Sequence, residues 1–196
     1  VDLGATAMTA AGATSTLNIT GDNALSISGT DTDIRTIDAS GMVTGGSVVQ
    51  TGREATGAST YTGSLGDDTF IMMSPSDTLA GGGGSDTLDI NYAAILGGLS
   101  VDLSSTTDQI VSWNGSAAAG TVTGFENADA TGYTGTFGAL LVGSAAGNNL
   151  LGTANNDQIS GSSGIDTLAG NDGADTIDLG ADTDADNYLG AAITDG

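Results

Sequence analysis

Seven aspartate or asparagine residues fall at the sixth place of successive nonapeptides. From Gly63 the chain reads GSLGDDTFI, MMSPSDTLA and GGGGSDTLD; from Gly143 it reads GSAAGNNLL, GTANNDQIS, GSSGIDTLA and GNDGADTID. The sixth residues are Asp68, Asp77, Asp86, Asn148, Asp157, Asp166 and Asp175. Each offers a short side-chain oxygen at a fixed interval. The chemistry this permits is the binding of a hard cation by oxygen ligands, for which the short Asp carboxylate suits a tight loop. The acid of the chain is almost entirely Asp; only Glu54 and Glu126 are Glu. There is no Cys and no His, so thiolate and imidazole metal sites are excluded.

The elements that must position these oxygens follow from the same nine residues. Glycines at the first, second and fourth places allow positive φ and close backbone approach. Asn155, at the fourth place of its repeat, also tolerates the left-handed region. Six residues therefore make a turn and three a short strand. The eighth residue is apolar in every copy: Phe70, Leu79, Leu88, Leu150, Ile159, Leu168 and Ile177. These face inward and stack into ladders, because one coil alone cannot bury its apolar face. Two nonapeptides complete a coil, so turns one coil apart share a side. A calcium ion between such turns would draw on turn carbonyls and the sixth-place oxygens. This pairs Asp68 with Asp86, Asp157 with Asp175, and Asn148 with Asp166.

After Asp178 the phase slips. A two-residue insertion, Leu179-Gly180, restores it with Asp186 sixth and Tyr188 eighth; Asp184 is the alternative ligand. Asp77 has no evident mate, and its turn holds Pro75 but no Gly, so that turn is expected to be empty or distorted. Rows of stacked carboxylates repel one another without a cation, so binding is expected to couple to folding.

The GGGGSDTLD copy fits G-G-x-G-x-D-x-U-x at every specified place. The repeats resemble the RTX (repeats-in-toxin) family, whose fold is the parallel β-roll, over residues 63 to 89 and 143 to about 189. The Thr/Ala/Gly/Ser-rich stretches between them, such as Thr36 to Gly41 and Gly124 to Asn127, resemble those of bacterial surface-layer proteins that carry such repeats. The resemblance implies Ca2+ as the bound ion, secretion by a type I route, and folding outside the cell on meeting calcium. The final AAITDG shows no secretion signal of that kind, and no signal peptide is visible at Val1. The sequence starts and stops mid-pattern, as expected of a segment of something longer.

The fold class expected is all-β: a parallel β-helix, or RTX β-roll, of stacked short coils. Residues 1–62 read as a Thr/Ala/Gly-rich β-repeat segment, 63–89 as the first nonapeptide block, 90–142 as a β-helix-like connection and 143–196 as the second block. Short apolar pulses mark strands at Leu17 to Ile19, Leu25 to Ile27, Ile34 to Ile37, Val48-Val49, Leu99 to Leu103, Gln109 to Trp113, Thr121 to Thr123 and Ala139 to Val142. No capped helical periodicity persists. Aromatics are 4% of 196 residues and glycines number 33, so the core is thin and aliphatic.

Several functions are disfavoured. The net charge is −22, with Arg35 and Arg53 the only basic residues. Nucleic acid binding and attraction to an anionic membrane both need Lys and Arg. No apolar run is long enough to span a membrane. A phosphate loop needs a Lys the chain lacks. Asp182, Asp184 and Asp186 alternate like the start of an EF-hand, but no Glu closes the loop. Without His, Cys or Lys no familiar nucleophile–base pair exists. Glycoside cleavage would need Glu54, Glu126 or Asp pairs. The best enzyme case, a calcium-dependent polysaccharide lyase with Arg35 or Arg53 as base, has plain turn contexts against it. The sequons at Asn18 and Asn114 read as chance, and Trp113 as a core or loop residue rather than a sugar platform. The expectation is a non-enzymatic, calcium-binding structural protein of a bacterial cell surface. Its partners are other copies of itself in a lattice or filament, with a cell-surface glycan as a further partner. An adhesin segment or the accessory roll of an exported enzyme or toxin is the alternative.

Overall fold

A computed structural model describes residues 15–27, 34–43, 46–50, 57–91, 97–181 and 183–190. Arg53, Glu54, Asp182 and the final six residues lie outside the described residues. Every regular element among the described residues is a β-strand. In each nonapeptide the last three places form the strand. A β-branched or polar residue at the seventh place points out and the apolar eighth points in, the alternation a half-buried strand requires. The fourth strand residue, where present, begins the next turn.

The chain forms two compact units. The first comprises Val1–Asp89 and Ala118–Phe125. One of its sheets runs β1 (Ser15–Gly21), β3 (Ile34–Met42), β5 (Thr60–Thr62), β7 (Thr78–Ala80) and β11 (Val122–Thr123), with every neighbouring pair parallel. The other contains β2 (Leu25–Ile27), β4 (Val48–Gln50), β6 (Thr69–Met72) and β8 (Thr87–Ile90) in that order. Consecutive strands thus alternate between two sheets, which makes two strands one coil. Between the sheets lie Tyr61, Phe70, Leu79, Leu88 and Phe125, all at most 2% exposed. The Phe70 ring is 5.6 Å from Tyr61 and 6.4 Å, edge to face, from Phe125. Phe125 comes from the segment that also supplies β11, so the connecting stretch 90–142 lends part of itself to this unit.

The second unit comprises Ile90–Ala117 and Glu126–Gly196. One sheet runs β9 (Leu99–Asp102), β13 (Ala139–Val142), β15 (Gln158–Ser160) and β17 (Thr176–Asp178), all parallel. β10 (Ile110–Trp113) folds back antiparallel on β9, the one departure from parallel pairing among the described strands. Trp113 is only 4% exposed, which places it in the core and removes a sugar-stacking role. The other sheet runs β12 (Asn127–Asp129), β14 (Asn149–Leu151), β16 (Thr167–Ala169) and β18 (Asn187–Tyr188). Ala128, Leu150, Leu168 and Tyr188 stand in one ladder. Each fully buried Leu of such a ladder stabilises the stack by about 2 kcal/mol. Ile177 and Tyr188 are only half-buried, so the ladders open toward the last coils.

Candidate metal centre

Strand pairing brings the sixth places of alternate nonapeptides into columns. In the first unit, the Asp68 amide donates to Asp86 Oδ1 at 2.7 Å, and the Val48 amide donates in turn to Asp68 Oδ1. In the second unit, Asn148 N donates to Asp166 Oδ1 at 2.8 Å, and Asp166 N to Asp186 Oδ1 at 3.0 Å. On the opposite side, Ala139 N donates to Asp157 Oδ1 at 2.6 Å and Asp157 N to Asp175 Oδ1 at 2.9 Å. Each carboxylate therefore receives the amide of the sixth residue one coil earlier. The three pairings read from the sequence are all present as neighbours. Asp186 stands over Asp166 because Thr167 pairs with Asn187 and Leu168 with Tyr188, twenty residues on rather than eighteen. Asp184 lies exposed in the preceding turn, outside the column.

One member of a column has no counterpart in the nonapeptide reading. Ala128 pairs with Leu150, so Glu126 stands at the sixth place beneath Asn148, whose Nδ2 donates to the Glu126 carbonyl at 2.6 Å. The column is Glu126, Asn148, Asp166, Asp186. A separation of 22 residues instead of 18, and Glu in place of Asp, conceal Glu126 in the sequence. Its sequence signal is the apolar Ala128 two places later. Asp77 stands between Ser59, whose amide donates to its Oδ1 at 2.9 Å, and Gly120. Its Oδ2 accepts from Met73 and Ser74, at 3.1 and 3.0 Å. The turn is closed by hydrogen bonds, and neither neighbour in its column offers a carboxylate.

The first-place glycines define the space around these oxygens. A Cβ on Gly63 would sit 2.5 Å from Asp68 Oδ2 and would collide with the carbonyl oxygen of Gly81, one coil on. On Gly81 it would sit 2.5 Å from Asp86 Oδ2 and collide with Gly124 O. On Gly143 it would meet Asn148 Oδ1 at 2.6 Å and collide with Gly161 O. On Gly152 it would collide with Asp157 Oδ2 and meet Gly170 O at 2.9 Å. At each of these places a side-chain oxygen and a backbone carbonyl converge in room that exists only because the residue is Gly. Among the described residues no three carboxylates gather at one point. A cation held here must combine no more than two carboxylates with carbonyls, a donor set that a hard, oxygen-seeking ion such as calcium accepts. The sixth-place carbonyls are already used by the strand ladder, as when Thr167 N donates to Asn148 O at 2.8 Å.

The electrostatics agree with burial of unneutralised charge. Asp68 and Asp157 are each 1% exposed. Burial pushes both carboxyls above the usual aspartate range. Amide donors work against it: Ser64 and Val48 at Asp68, Ala139 and Thr153 at Asp157. The nearby charges of Asp67 and Asp175, respectively, add to the rise. A divalent ion beside such carboxylates would reverse the balance.

A family model described as the RTX calcium-binding nonapeptide repeat (4 copies) matches residues 76–89 and 151–185. The chain carries RTX calcium-binding repeats. The matched RTX residues include Asp77, Asp86, Asp157, Asp166 and Asp175 at the sixth place, and the parallel stacked coils form a β-solenoid, consistent with an RTX β-roll. No curated protein and no solved structure matches the chain.

Six of the nonapeptide turns close in two ways, turn 72–77 following neither. In turns 81–86, 161–166 and 170–175 the second and fourth residues take positive φ: 109° and 125° at Gly82 and Gly84, 74° and 105° at Ser162 and Gly164, 67° and 125° at Asn171 and Gly173. In turns 63–68, 143–148 and 152–157 no residue does. There the hydroxyl at the second place turns inward. Thr153 Oγ1 donates to Asp157 Oδ1 at 2.8 Å and accepts the Asn155 amide at 3.0 Å. Ser64 Oγ lies 3.0 Å from Asp68 Oδ2 and 2.9 Å from Gly46 O, one coil earlier, and accepts the Gly66 amide at 3.0 Å. Ser144 Oγ lies 3.3 Å from Asn148 Oδ1 and accepts the Ala146 amide at 3.1 Å.

Proposed function

We propose that the chain is part of a calcium-stabilised structural protein of a bacterial cell surface, which assembles with other copies into a surface layer or filament when calcium is present. What supports the reading is the set of oxygen columns, each sixth-place side chain stacked on the next with a carbonyl converging at the first-place glycine. Calcium would be held by Asp86, Asp166 and Asp175 with turn carbonyls, and by Asp68, Asp157, Asn148 and Asp186 as their column neighbours. Once bound, it supplies positive charge where the fold stacks carboxylates, and each ion offsets two of the 22 net negative charges. That lowers the repulsion which otherwise keeps copies apart. A catalytic role has no support in the side chains present: no His, Cys or Lys exists, and Arg35 lies on a strand. An extracellular site fits both the calcium and RTX repeats, which are typically exported.

The second reading is a repeat segment of a secreted adhesin or of an exported enzyme or toxin. It is favoured by the limited span of the matched repeats, which suits an accessory roll. Electron microscopy of the parent protein at millimolar calcium tests between them. Sheets or filaments that disperse in chelator support the surface-layer reading. A parent that stays monomeric at high concentration in calcium sinks it, and glycan or cell binding by that monomer favours the adhesin.

A further inference from the structure

The two ways of closing a turn are not scattered at random. Turn 63–68 lies one coil before 81–86, turn 143–148 one coil before 161–166, and turn 152–157 one coil before 170–175. In each of these three columns the first nonapeptide turn is closed by a hydroxyl and the next is the positive-φ form, whereas turn 72–77, in the Asp77 column, has Met73 at the second place and follows neither form. The hydroxyl turns stack at their leading side on residues outside the repeats: Val48 beneath Asp68, Glu126 beneath Asn148, Ala139 beneath Asp157. None of these three residues belongs to a nonapeptide, although Glu126 stands at the sixth place beneath Asn148.

We propose that Ser64, Ser144 and Thr153 are positioning residues that close the first turn of each column with a hydroxyl in place of a cation, so that these turns form without calcium and template the cation-binding turns stacked on them. The inference rests on the calcium reading above and adds which turns need the ion.

The geometry carries it. A hydroxyl is at once donor and acceptor. At Thr153 it joins the sixth-place carboxylate to the fourth-place amide, and the Thr153 amide adds a bond of 2.7 Å to Asp157 Oδ2. At Ser64 the amide is 2.6 Å from Asp68 Oδ2 and the hydroxyl accepts the Gly66 amide, while its own proton is shared between Asp68 Oδ2 at 3.0 Å and Gly46 O, one coil earlier, at 2.9 Å. The same donors as at Thr153 recur at Ser144, whose amide is 2.6 Å from Asn148 Oδ1. Ser64 and Thr153 are 2% and 1% exposed, so these bonds sit away from competing water. Asn148 completes a hydrogen-bonded turn of the same kind, and its Nδ2 also reaches Ser144 Oγ at 3.2 Å.

In the positive-φ turns the second-place side chain points elsewhere. Ser162 Oγ donates to Gly143 O at 3.2 Å, and Asn171 Nδ2 to Gly152 O at 2.8 Å, each reaching back to the preceding coil. A Ser at the second place therefore does not by itself plug the turn. The backbone hand decides whether the hydroxyl enters it, and where it does not, the interior is left to oxygens alone.

The test is amide hydrogen exchange on the full chain, with and without calcium, on wild type, Thr153→Ala and Thr153→Ser. In chelator, the Gly66, Ala146 and Asn155 amides should exchange about tenfold more slowly than those of Gly84 and Gly173, the weight of the one hydrogen bond each donates to the hydroxyl. Calcium should remove the difference. Thr153→Ala should abolish protection at Asn155 in chelator and Thr153→Ser should restore it, both with the calorimetric calcium stoichiometry unchanged. Equal exchange of the two groups in chelator overturns the proposal, as does loss of a bound calcium in Thr153→Ala, which would make the hydroxyl a ligand. A chain that binds no calcium but keeps the exchange difference refutes the calcium reading and leaves the hydroxyl closure standing.

Discussion

The four glycines of the run 81–84 should respond to alanine in a graded way that reveals what each one does. Gly83 has negative φ, and a Cβ there would meet Leu65 Cδ2 at 3.5 Å, an ordinary contact. Gly83→Ala should change stability by no more than about 0.5 kcal/mol, with reduced unfolded-state freedom working in its favour. Gly84 has φ of 125°, and a Cβ would lie 2.7 Å from the Gly66 carbonyl carbon. The left-handed region costs roughly 1–2 kcal/mol for a non-glycine residue, and overpacking against a rigid backbone a further 1–3 kcal/mol or so. Gly82, with φ of 109° and a collision with Ser64 O, belongs to the same class. Gly81 has no positive φ, so its alanine variant isolates the oxygen cradle: the methyl would displace Asp86 Oδ2 and collide with Gly124 O. Its loss should be about 1–3 kcal/mol from the clash with Gly124 O, with or without calcium, and displacement of Asp86 Oδ2 should weaken calcium binding in addition. The assay is the calcium midpoint of β-structure by circular dichroism, joined to thermal unfolding in excess calcium. Gly81→Ala should raise the midpoint about tenfold, the equivalent of about 1.4 kcal/mol; Gly83→Ala should move it less than about threefold. If Gly81→Ala and Gly83→Ala behave alike, the convergence of oxygens at the first place has no role in binding and the cradle argument is wrong.

Other outcomes follow from the same geometry. Asp86→Ala and Asp166→Ala should each lose about one bound calcium by calorimetry, and Asp77→Ala none, because Ser59 and Gly120 flank Asp77 in its column; equal loss at Asp77 would refute the column assignment. Leu168→Ala, at a fully buried ladder position, should cost about 2–5 kcal/mol, whereas Ile177→Ala, half-buried, should cost clearly less in the same urea titration. Burial raises the Asp68 and Asp157 pKa in the folded chain, so that state binds protons more tightly than the unfolded one. In chelator, stability should therefore rise as pH falls through the raised folded-state values toward the unfolded value of about 4. With calcium bound the trend should reverse, because the ligands must be deprotonated. Circular dichroism against pH in the two media checks this, and curves of the same slope would count against carboxylate binding.

The nonapeptide phase is legible in the residues because two local demands coincide every nine positions. A turn needs glycine where the backbone is left-handed or crowded, and in the nonapeptide strand the middle side chain faces the core. That fixes the inward ladder of Phe70, Leu79, Leu88, Leu150, Ile159 and Leu168, and with it the all-β coil. It also locates the strands at Leu25, Val48, Leu99 and Ala139, where short apolar pulses stand between turn residues. The slip at Leu179-Gly180 is readable because strict phase would put Asp186 on the inward ladder.

What depends on residues far apart in the chain is decided only by the folded stack. Glu126 joins the Asn148 column through a pairing of 22 residues, and β11 stacks on β7 across an insertion that no local pattern measures. The strand at Thr60–Thr62 is weakly apolar and becomes a strand because β3 and β7 flank it. GSLGDD and GSSGID share glycines at the first and fourth places and a serine at the second, yet the former closes on its hydroxyl and the latter takes positive φ. The difference comes from what lies one coil below. Turn 63–68 stacks on Val48, and a Cβ on Gly66 would collide with Gly46 O; turn 161–166 stacks on another nonapeptide turn. A turn's own residues set which backbone hands it can adopt, and the neighbouring coil, reached only through parallel pairing, selects among them.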